Sequence, residues 1–230
     1  MTLACERDLI YPDSDGQPMA DNTLQFRWIV LIKENLECLF SDDPQVFVAG
    51  DLLWYPVEGR PDIRVAPDAM VVFGRPKGER GSYRQWLEGN LAPQVVFEIL
   101  SPGNTLKEMA KKLEFYDRYG VEEYYIYDPD HIDLNGYQRV AGRLQVIEEI
   151  SDWISPRLGI RLRLTPDQLE VYYPDGGRFL TTIELSRQAQ QAQEIAQQER
   201  QRAELAEQEN ARLRALLQQA GIPDPSSISS

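Results

Sequence analysis

The sequence predicts an α/β protein in which one domain of about 183 residues is followed by a long C-terminal helix. Apolar residues near the amino terminus recur at helical spacing, and short runs of β-branched and aromatic residues then alternate with a second helical segment. This order of helix, strands, helix and strand is typical of an α/β fold. The predicted boundaries are 1–183 for the domain, 184–220 for the long helix and 221–230 for a flexible tail.

The first helix is expected to begin after Asp21-Asn22 and to end at Asp42-Asp43-Pro44. Its apolar positions are Leu24, Trp28, Leu31, Ile32, Leu36 and Phe40. Strands are predicted next at 46–48, 52–55 and 69–73. The first two read as a hairpin-like pair because Gly50-Asp51 lies between them.

A nearly continuous apolar run at 94–100 predicts a central, buried strand that contains one carboxylate, Glu98. Burying an unpaired carboxylate costs several kcal/mol, so Glu98 needs a cation, a basic partner or a raised pKa. Asp68 stands at the edge of another strand. Two carboxylates on neighbouring strands, aided by a backbone carbonyl such as that of Ile99, suit Mg²⁺ or Mn²⁺. The alternative is a structural salt bridge or a strand-end turn.

A second helix is predicted from Thr105 to Gly120, and Thr105 with Glu108 forms the pattern of a capping box. Lys112 borders the expected buried stripe, whereas Lys111 points about 100° further away and should be solvated. An i,i+4 pair between Glu108 and Lys112 is the simpler alternative for this lysine. The expected stripe is Leu106, Met109, Ala110, Leu113 and Tyr116.

Composition limits the classes of function. The net charge of −13 argues against non-specific coating of nucleic acid, which depends on Lys and Arg, so a nucleic-acid substrate would have to meet a local basic surface. The only basic and aromatic segment is the Gly-rich loop with Arg75, Lys77, Arg80, Arg84 and Trp86. No apolar run approaches the roughly 20 residues of a membrane span, and the first residues do not form a secretory signal. We therefore expect a reduced, cytoplasmic protein without a membrane partner.

The segment from about 185 to 219 lacks Gly and Pro and is rich in Ala, Gln, Glu, Arg and Leu, which predicts one helix of roughly 50 Å. A 3-4 seam can be traced along it, but Ala dominates the seam, and any coiled coil would be weak. A solvated single helix and a helix that forms a homodimer remain equal alternatives. The seam is Ala189, Ala192, Ala196, Glu199, Ala203, Ala206, Asn210, Leu213 and Leu217.

Several of these motifs occur together in a known order. Pro67-Asp68, followed thirty residues later by Glu98 on an apolar strand, resembles the core motif of the PD-(D/E)XK nuclease superfamily. More closely, the chain resembles the Uma-two family of restriction-endonuclease-like proteins, which is abundant in cyanobacteria, over about residues 15–173. The further motifs are 64–68, 96–104, Lys112 with Tyr116, 120–125 and Asp128-Pro129. The resemblance implies the αβββαβ core of that superfamily, with a mixed sheet, and a metal-dependent phosphodiesterase site.

The resemblance also assigns roles to individual residues. The superfamily's usual lysine, two residues after the glutamate, is replaced here by Leu100. The Uma-two family places its lysine on the following helix, and Lys112 matches that position. Glu108 and Gln25 match positions near the metal in relatives and are candidates for its outer surroundings. The simpler alternative for Gln25 is a place on the surface.

The leading interpretation is therefore a Mg²⁺-dependent DNA endonuclease, in which Asp68, Glu98 and the Ile99 carbonyl bind metal and Lys112 assists the water nucleophile. The alternative is a non-catalytic protein with the same fold that acts as an interaction module through its long helix.

Overall fold

The computed structural model describes residues 9–14, 16 and 18–220, and its contacts divide the chain into two compact units, 1–179 and 180–230. The predicted flexible tail, 221–230, lies outside the described residues. The elements in chain order are α1 Thr23–Leu39, β1 Val46–Ala49, β2 Trp54–Tyr55, β3 Ala69–Phe73, β4 Tyr83–Arg84, a 3₁₀ turn Gln85–Leu87, β5 Val95–Ile99, α2 Leu106–Tyr119, β6 Glu123–Asp128, β7 Asp133–Val140, β8 Arg143–Val146, β9 Trp153–Ile154, β10 Arg161–Leu164, β11 Leu169–Tyr172 and α3 Thr182–Gln219.

A mixed six-stranded sheet in the order β1-β3-β5-β6-β7-β8 forms the centre of the first unit. Within this sheet β5 and β6 are the one parallel pair of neighbours, and α2 connects them. The succession α1-β1-β3-β5-α2-β6 is the predicted αβββαβ core, so the predicted fold class is confirmed. The other two sheets are small: β11-β10-β9 and the parallel pair β2-β4.

Alternate residues of β5 face two different cores because successive side chains of a strand point to opposite sides. Val95, Phe97 and Ile99 pack with α1 and with the three-stranded sheet, whereas Val96 packs with α2 and with the β2-β4 pair. Glu98 shares the side of Val96. The sheet is therefore covered on both sides, and a polar group on it lies in a buried setting.

The hairpin predicted around Gly50-Asp51 is wrong. β1 pairs with β3 over its whole length, and the chain leaves the sheet before Trp54, which pairs with Tyr83 of β4. The backbone explains the turn: Asp51 N–H donates to the Pro67 carbonyl, and a Cβ at Gly50 would lie 3.2 Å from the Asp68 carbonyl oxygen. This close approach fixes the backbone on which Asp68 sits.

The side of α2 that faces the sheet differs from the predicted stripe. Leu106 is 92% exposed and Ala110 is also exposed, whereas Tyr116 is fully buried. The inward positions are Met109, Lys112, Leu113 and Tyr116, an i, i+3, i+4, i+7 set. Lys112 thus faces the sheet, and Lys111 is exposed as expected.

A buried carboxylate besides Asp68 and Glu98 is Glu123, which lies at the start of β6 and joins the main sheet to the three-stranded one. It accepts hydrogen bonds from the hydroxyls of Tyr125 and Ser155 and from the Arg157 N–H at 2.7 Å. Burial raises the pKa of Glu123 above its ordinary value, although these donors lower it in part. Glu123 and its hydrogen-bond partners are separate from the two carboxylates predicted as the metal site.

Because the folded state raises the pKa of Glu123, it binds this proton more tightly than the unfolded state does. This group's contribution to stability is therefore complete below the ordinary pKa of about 4.5 and is lost as pH rises through the raised folded value. We expect Glu123→Gln to lose less of its free energy of unfolding than the wild type between pH 4 and pH 7, apart from a pH-independent offset. Urea unfolding at a series of pH values measures the slope of the free energy of unfolding against pH.

Glu149→Gln, on an exposed residue, controls for the change in net charge. A Glu123→Gln slope equal to that of the wild type would contradict the prediction.

The second unit contains α3, which is the predicted long helix. It begins with a capping box between Thr181 and Glu184, in which Thr181 N–H donates to the Glu184 carboxylate at 2.8 Å. None of the residues 182–219 is buried. No helix among the described residues has both the length and the apolar character to cross a membrane.

Candidate metal centre

Asp68 and Glu98 come together because β3 and β5 are antiparallel neighbours. The register pairs Ala69 with Phe97, and one residue further along it sets Asp68 opposite Glu98. Directly opposed residues of such a pair have Cβ atoms about 5 Å apart. Both side chains are buried, with 9% of Asp68 and 2% of Glu98 exposed. The structure thus joins two carboxylates that lie thirty residues apart in the sequence.

The Asp68 carboxylate is held by the neighbouring strand. Its Oδ2 accepts a hydrogen bond from the Ile99 N–H at 2.6 Å. Burial raises the pKa of Asp68 well above its ordinary value, and the charge of Glu98 raises it further, whereas Lys112 and the Ile99 N–H lower it in part. The ionised form of this site therefore carries more negative charge than its surroundings compensate.

The Glu98 carboxylate is bound by two side chains of α2. Lys112 Nζ donates to Oε2 at 2.6 Å, and the Tyr116 hydroxyl donates to Oε1 at 2.5 Å. Burial lowers the pKa of Lys112, but the charges of Glu98 and Asp68 outweigh that effect and raise it above its ordinary value. Burial and the charge of Glu98 raise the pKa of Tyr116 well above its ordinary value. Lys112 is therefore an ammonium ion, and Tyr116 is a neutral donor.

The Ile99 carbonyl, the third predicted metal ligand, faces α1. It accepts a hydrogen bond from Gln25 Nε2 at 2.8 Å, and Gln25 Oε1 in turn accepts from the Asp21 N–H at 2.8 Å. A carbonyl oxygen has two lone pairs, so one remains for a second partner. Gln25 is buried, not on the surface, and it ties the start of α1 to the end of β5.

Glu108 does not meet the carboxylate pair. Its side chain accepts hydrogen bonds from both the N–H and the hydroxyl of Thr105, which closes the predicted capping box. The backbone hydrogen bond from Thr105 lowers the pKa of Glu108. Glu108 is exposed and lies one turn before Lys112 on α2. It is therefore near the site only because it shares this helix with Lys112.

Two further groups near the site were missed by the sequence analysis. Asp51 lies close enough for its charge to raise the pKa of Asp68, and the only sequence signal was its position in the turn after β1. Ser101, two residues after Ile99, donates through its hydroxyl to Asp21 at 2.5 Å. Nothing in the local sequence predicts the contact between Ser101 and Asp21, which are eighty positions apart.

The atoms available as metal ligands fit a hard divalent cation. All are oxygens, from two carboxylates and one carbonyl, and the buried pair of carboxylates has one ammonium ion as its counter-charge. Within the described residues, no group of three or more His, Cys, Asp or Glu side chains forms a site by itself. A cation here would therefore have to keep several waters and share Glu98 with Lys112 and Tyr116.

The basic loop uses its cations within the protein. Arg75 and Arg80 both contact Glu88, at 3.0 and 2.7 Å, and the Lys77 ammonium donates to the Phe40 carbonyl. The Arg84 guanidinium lies 5.2 Å from the centre of the Tyr11 ring. The loop's cations thus have partners within the protein, although only Glu88 among these partners carries a negative charge.

The αβββαβ core is that of the restriction-endonuclease-like folds, and the two opposed carboxylates lie on its neighbouring strands β3 and β5. Residues 16–167 match the model of a particular family, Uma2, which is described as "Putative restriction endonuclease". The chain belongs to the Uma2 family, and the resemblance noted from its motifs is confirmed.

Among the solved structures to which the chain is similar is the crystal structure of a putative nuclease belonging to DUF820 from Anabaena variabilis ATCC 29413. The two are 15% identical, with a TM-score of 0.42, and the similarity covers 61% of this chain and 74% of that one. No curated protein matches the sequence.

Proposed function

We propose that this protein is a Mg²⁺- or Mn²⁺-dependent endonuclease that hydrolyses phosphodiester bonds of DNA. The observation that carries the proposal is the meeting of Asp68 and Glu98 on β3 and β5, with the Lys112 ammonium 2.6 Å from Glu98. Membership of the Uma2 family supports a nuclease. Buried carboxylates with incomplete charge compensation are costly to a fold, and groups of this kind cluster at functional sites.

In this proposal Asp68, Glu98 and the Ile99 carbonyl hold the metal ion. A divalent cation supplies a bound water of lowered pKa and neutralises charge on the phosphate. Lys112 is charged, so it acts by donating hydrogen bonds to the water nucleophile or to a phosphate oxygen, not by accepting a proton. Gln25 fixes the Ile99 carbonyl from the α1 side, and Glu108 fixes the first turn of the helix that carries Lys112.

The test is calorimetric titration of the purified protein with Mn²⁺ beside the Asp68→Asn variant, followed by cleavage of plasmid DNA with and without a chelator. Binding that the variant loses supports the proposal. Absence of Mn²⁺ binding together with absence of metal-dependent cleavage would favour the alternative, a non-catalytic interaction module.

A second proposal concerns α3, through which the protein would form a homodimer. The exposed Leu213 lies on the 3-4 seam of this helix, which also contains Asn210, a polar residue of the kind that sets register in parallel coiled coils. The many Ala positions allow close approach of two helices but bury little apolar area. The dimer is therefore expected to be weak.

Deletion of the residues after Ile183 should convert the dimer to a monomer, which light scattering measures as molecular mass in solution. Leu213→Lys, on the seam, should weaken the dimer because it places a charge at the helix contact. Leu205→Lys is the matched control, since Leu205 is equally an exposed leucine of α3 but lies off the seam. An unchanged mass after truncation would contradict dimerisation through this helix.

A further inference from the structure

The two oxygens of Glu98 are bound by residues of different kinds, although both residues come from α2. Lys112 is a long, flexible side chain that is 26% exposed, whereas Tyr116 is fully buried. The length and freedom of a lysine side chain let its ammonium leave one partner when another cation arrives. The tyrosine hydroxyl has no such freedom.

The Tyr116 ring is fixed by its neighbours. It stacks on Trp54 with ring centres 6.3 Å apart and planes 2° from parallel, and it meets Tyr124 edge-on with centres 4.8 Å apart. Phe115 and Trp54 form a further edge contact at 5.3 Å. A ring packed in this way has no alternative rotamer without disturbing the core, so its hydroxyl has a fixed position beneath Glu98.

A fixed donor matters for a glutamate ligand because this side chain has three rotatable bonds. Ordering it costs side-chain entropy, which a preformed hydrogen bond removes from the cost of binding a metal. A hydrogen bond from a hydroxyl to a carboxylate is also among the stronger ones in proteins. The bond at Oε1 leaves Oε2, the oxygen shared with Lys112, as the exchangeable side of the carboxylate.

We propose that Tyr116 is the positioning residue for Glu98: its hydroxyl holds Oε1 so that the carboxylate faces Asp68 ready to bind a divalent cation. This role rests on the proposed metal site, and it adds a residue that acts through Glu98 without touching metal or substrate.

The chain offers a matched control in Tyr124. This tyrosine packs against Tyr116, lies on the same side of the sheet and is fully buried, yet its hydroxyl has no hydrogen-bond partner among the described residues. Tyr116→Phe and Tyr124→Phe therefore remove the same atom from neighbouring places in one core. Only the first removes a bond to Glu98.

The experiment is Mn²⁺ titration of the wild-type, Tyr116→Phe and Tyr124→Phe proteins, with thermal unfolding of each in the absence of metal. Loss of an outer hydrogen-bond partner of a metal ligand typically weakens metal affinity about 10- to 100-fold, and we expect this for Tyr116→Phe. Tyr124→Phe should bind Mn²⁺ like the wild type and melt at the same or a higher temperature, since it removes an unsatisfied buried hydroxyl.

A second measurement separates positioning from a purely structural role. In Tyr116→Phe the Mn²⁺ concentration for half-maximal DNA cleavage should rise by the same factor as the dissociation constant, while the rate at saturating Mn²⁺ stays within about threefold of the wild type. Mn²⁺ affinity within twofold of the wild type in Tyr116→Phe would overturn the positioning role and leave the metal site standing. Absence of both Mn²⁺ binding and metal-dependent cleavage in the wild type would overturn the metal site and this role with it.

Discussion

Asp68→Asn is expected to lose Mn²⁺ binding and to cleave DNA at least about 100-fold more slowly than the wild type, while remaining folded. The substitution keeps the shape of the side chain, and the amide oxygen can still accept the hydrogen bond from Ile99 N–H. It removes the negative charge that a divalent cation requires. Calorimetry and plasmid cleavage, performed on the same preparations, measure the two effects.

The same substitution should leave the free energy of unfolding unchanged or increase it. Burial and the charge of Glu98 raise the pKa of Asp68, so the folded state pays for its ionisation, and that cost is present above the ordinary pKa of the group. Glu123→Gln is the matched control, because it neutralises another buried carboxylate outside the site and should retain metal binding and cleavage. A folded Asp68→Asn protein with wild-type cleavage would remove Asp68 from the site.

Lys112→Met is expected to lose at least about 100-fold in cleavage while binding Mn²⁺ as tightly as the wild type or more tightly. The ammonium lies 2.6 Å from Glu98, so a cation bound to the same carboxylate is repelled by it. Two unit charges 4 Å apart interact by about 4 kcal/mol at an effective dielectric constant of about 20, and a divalent ion doubles this. Methionine fills similar space without the charge.

Lys111→Met is the control for this substitution, since Lys111 is the adjacent residue and is exposed. It should match the wild type in both metal binding and cleavage. Loss of Mn²⁺ binding in Lys112→Met would show that the lysine builds the metal site, and would argue against its role in assisting water. Titration calorimetry and cleavage rates at saturating Mn²⁺ distinguish the two results.

Features that depend on a few neighbouring residues were predicted from the sequence. The capping box of Thr105 and Glu108 and the end of α2 at Gly120, whose φ is +95°, follow from local chemistry. The long helix follows from a composition without Gly or Pro. The buried strand around Glu98 follows from its apolar run, since only a sheet covered on both sides accommodates one.

Features that depend on distant pairing were predicted less well. The hairpin at Gly50-Asp51 was wrong because β1 gains its partner from β3, twenty residues later, and short-range turn signals do not report that choice. The orientation of α2 was predicted only in part. Apolar periodicity does not include the ion pair between Lys112 and Glu98, which turns Lys112 toward the sheet while Leu106 is exposed.

The sequence by itself determined which residues could carry chemistry: one carboxylate on a buried strand, one beside a proline at a strand edge, and one lysine on the inner border of a helix. Only the tertiary structure decided that they meet, because the register of β3 against β5 sets Asp68 opposite Glu98. It also decided that Tyr116, and not Tyr124, donates to Glu98. A one-residue change in register would turn every side chain of a strand to the other side of the sheet, so the site exists only in the folded protein.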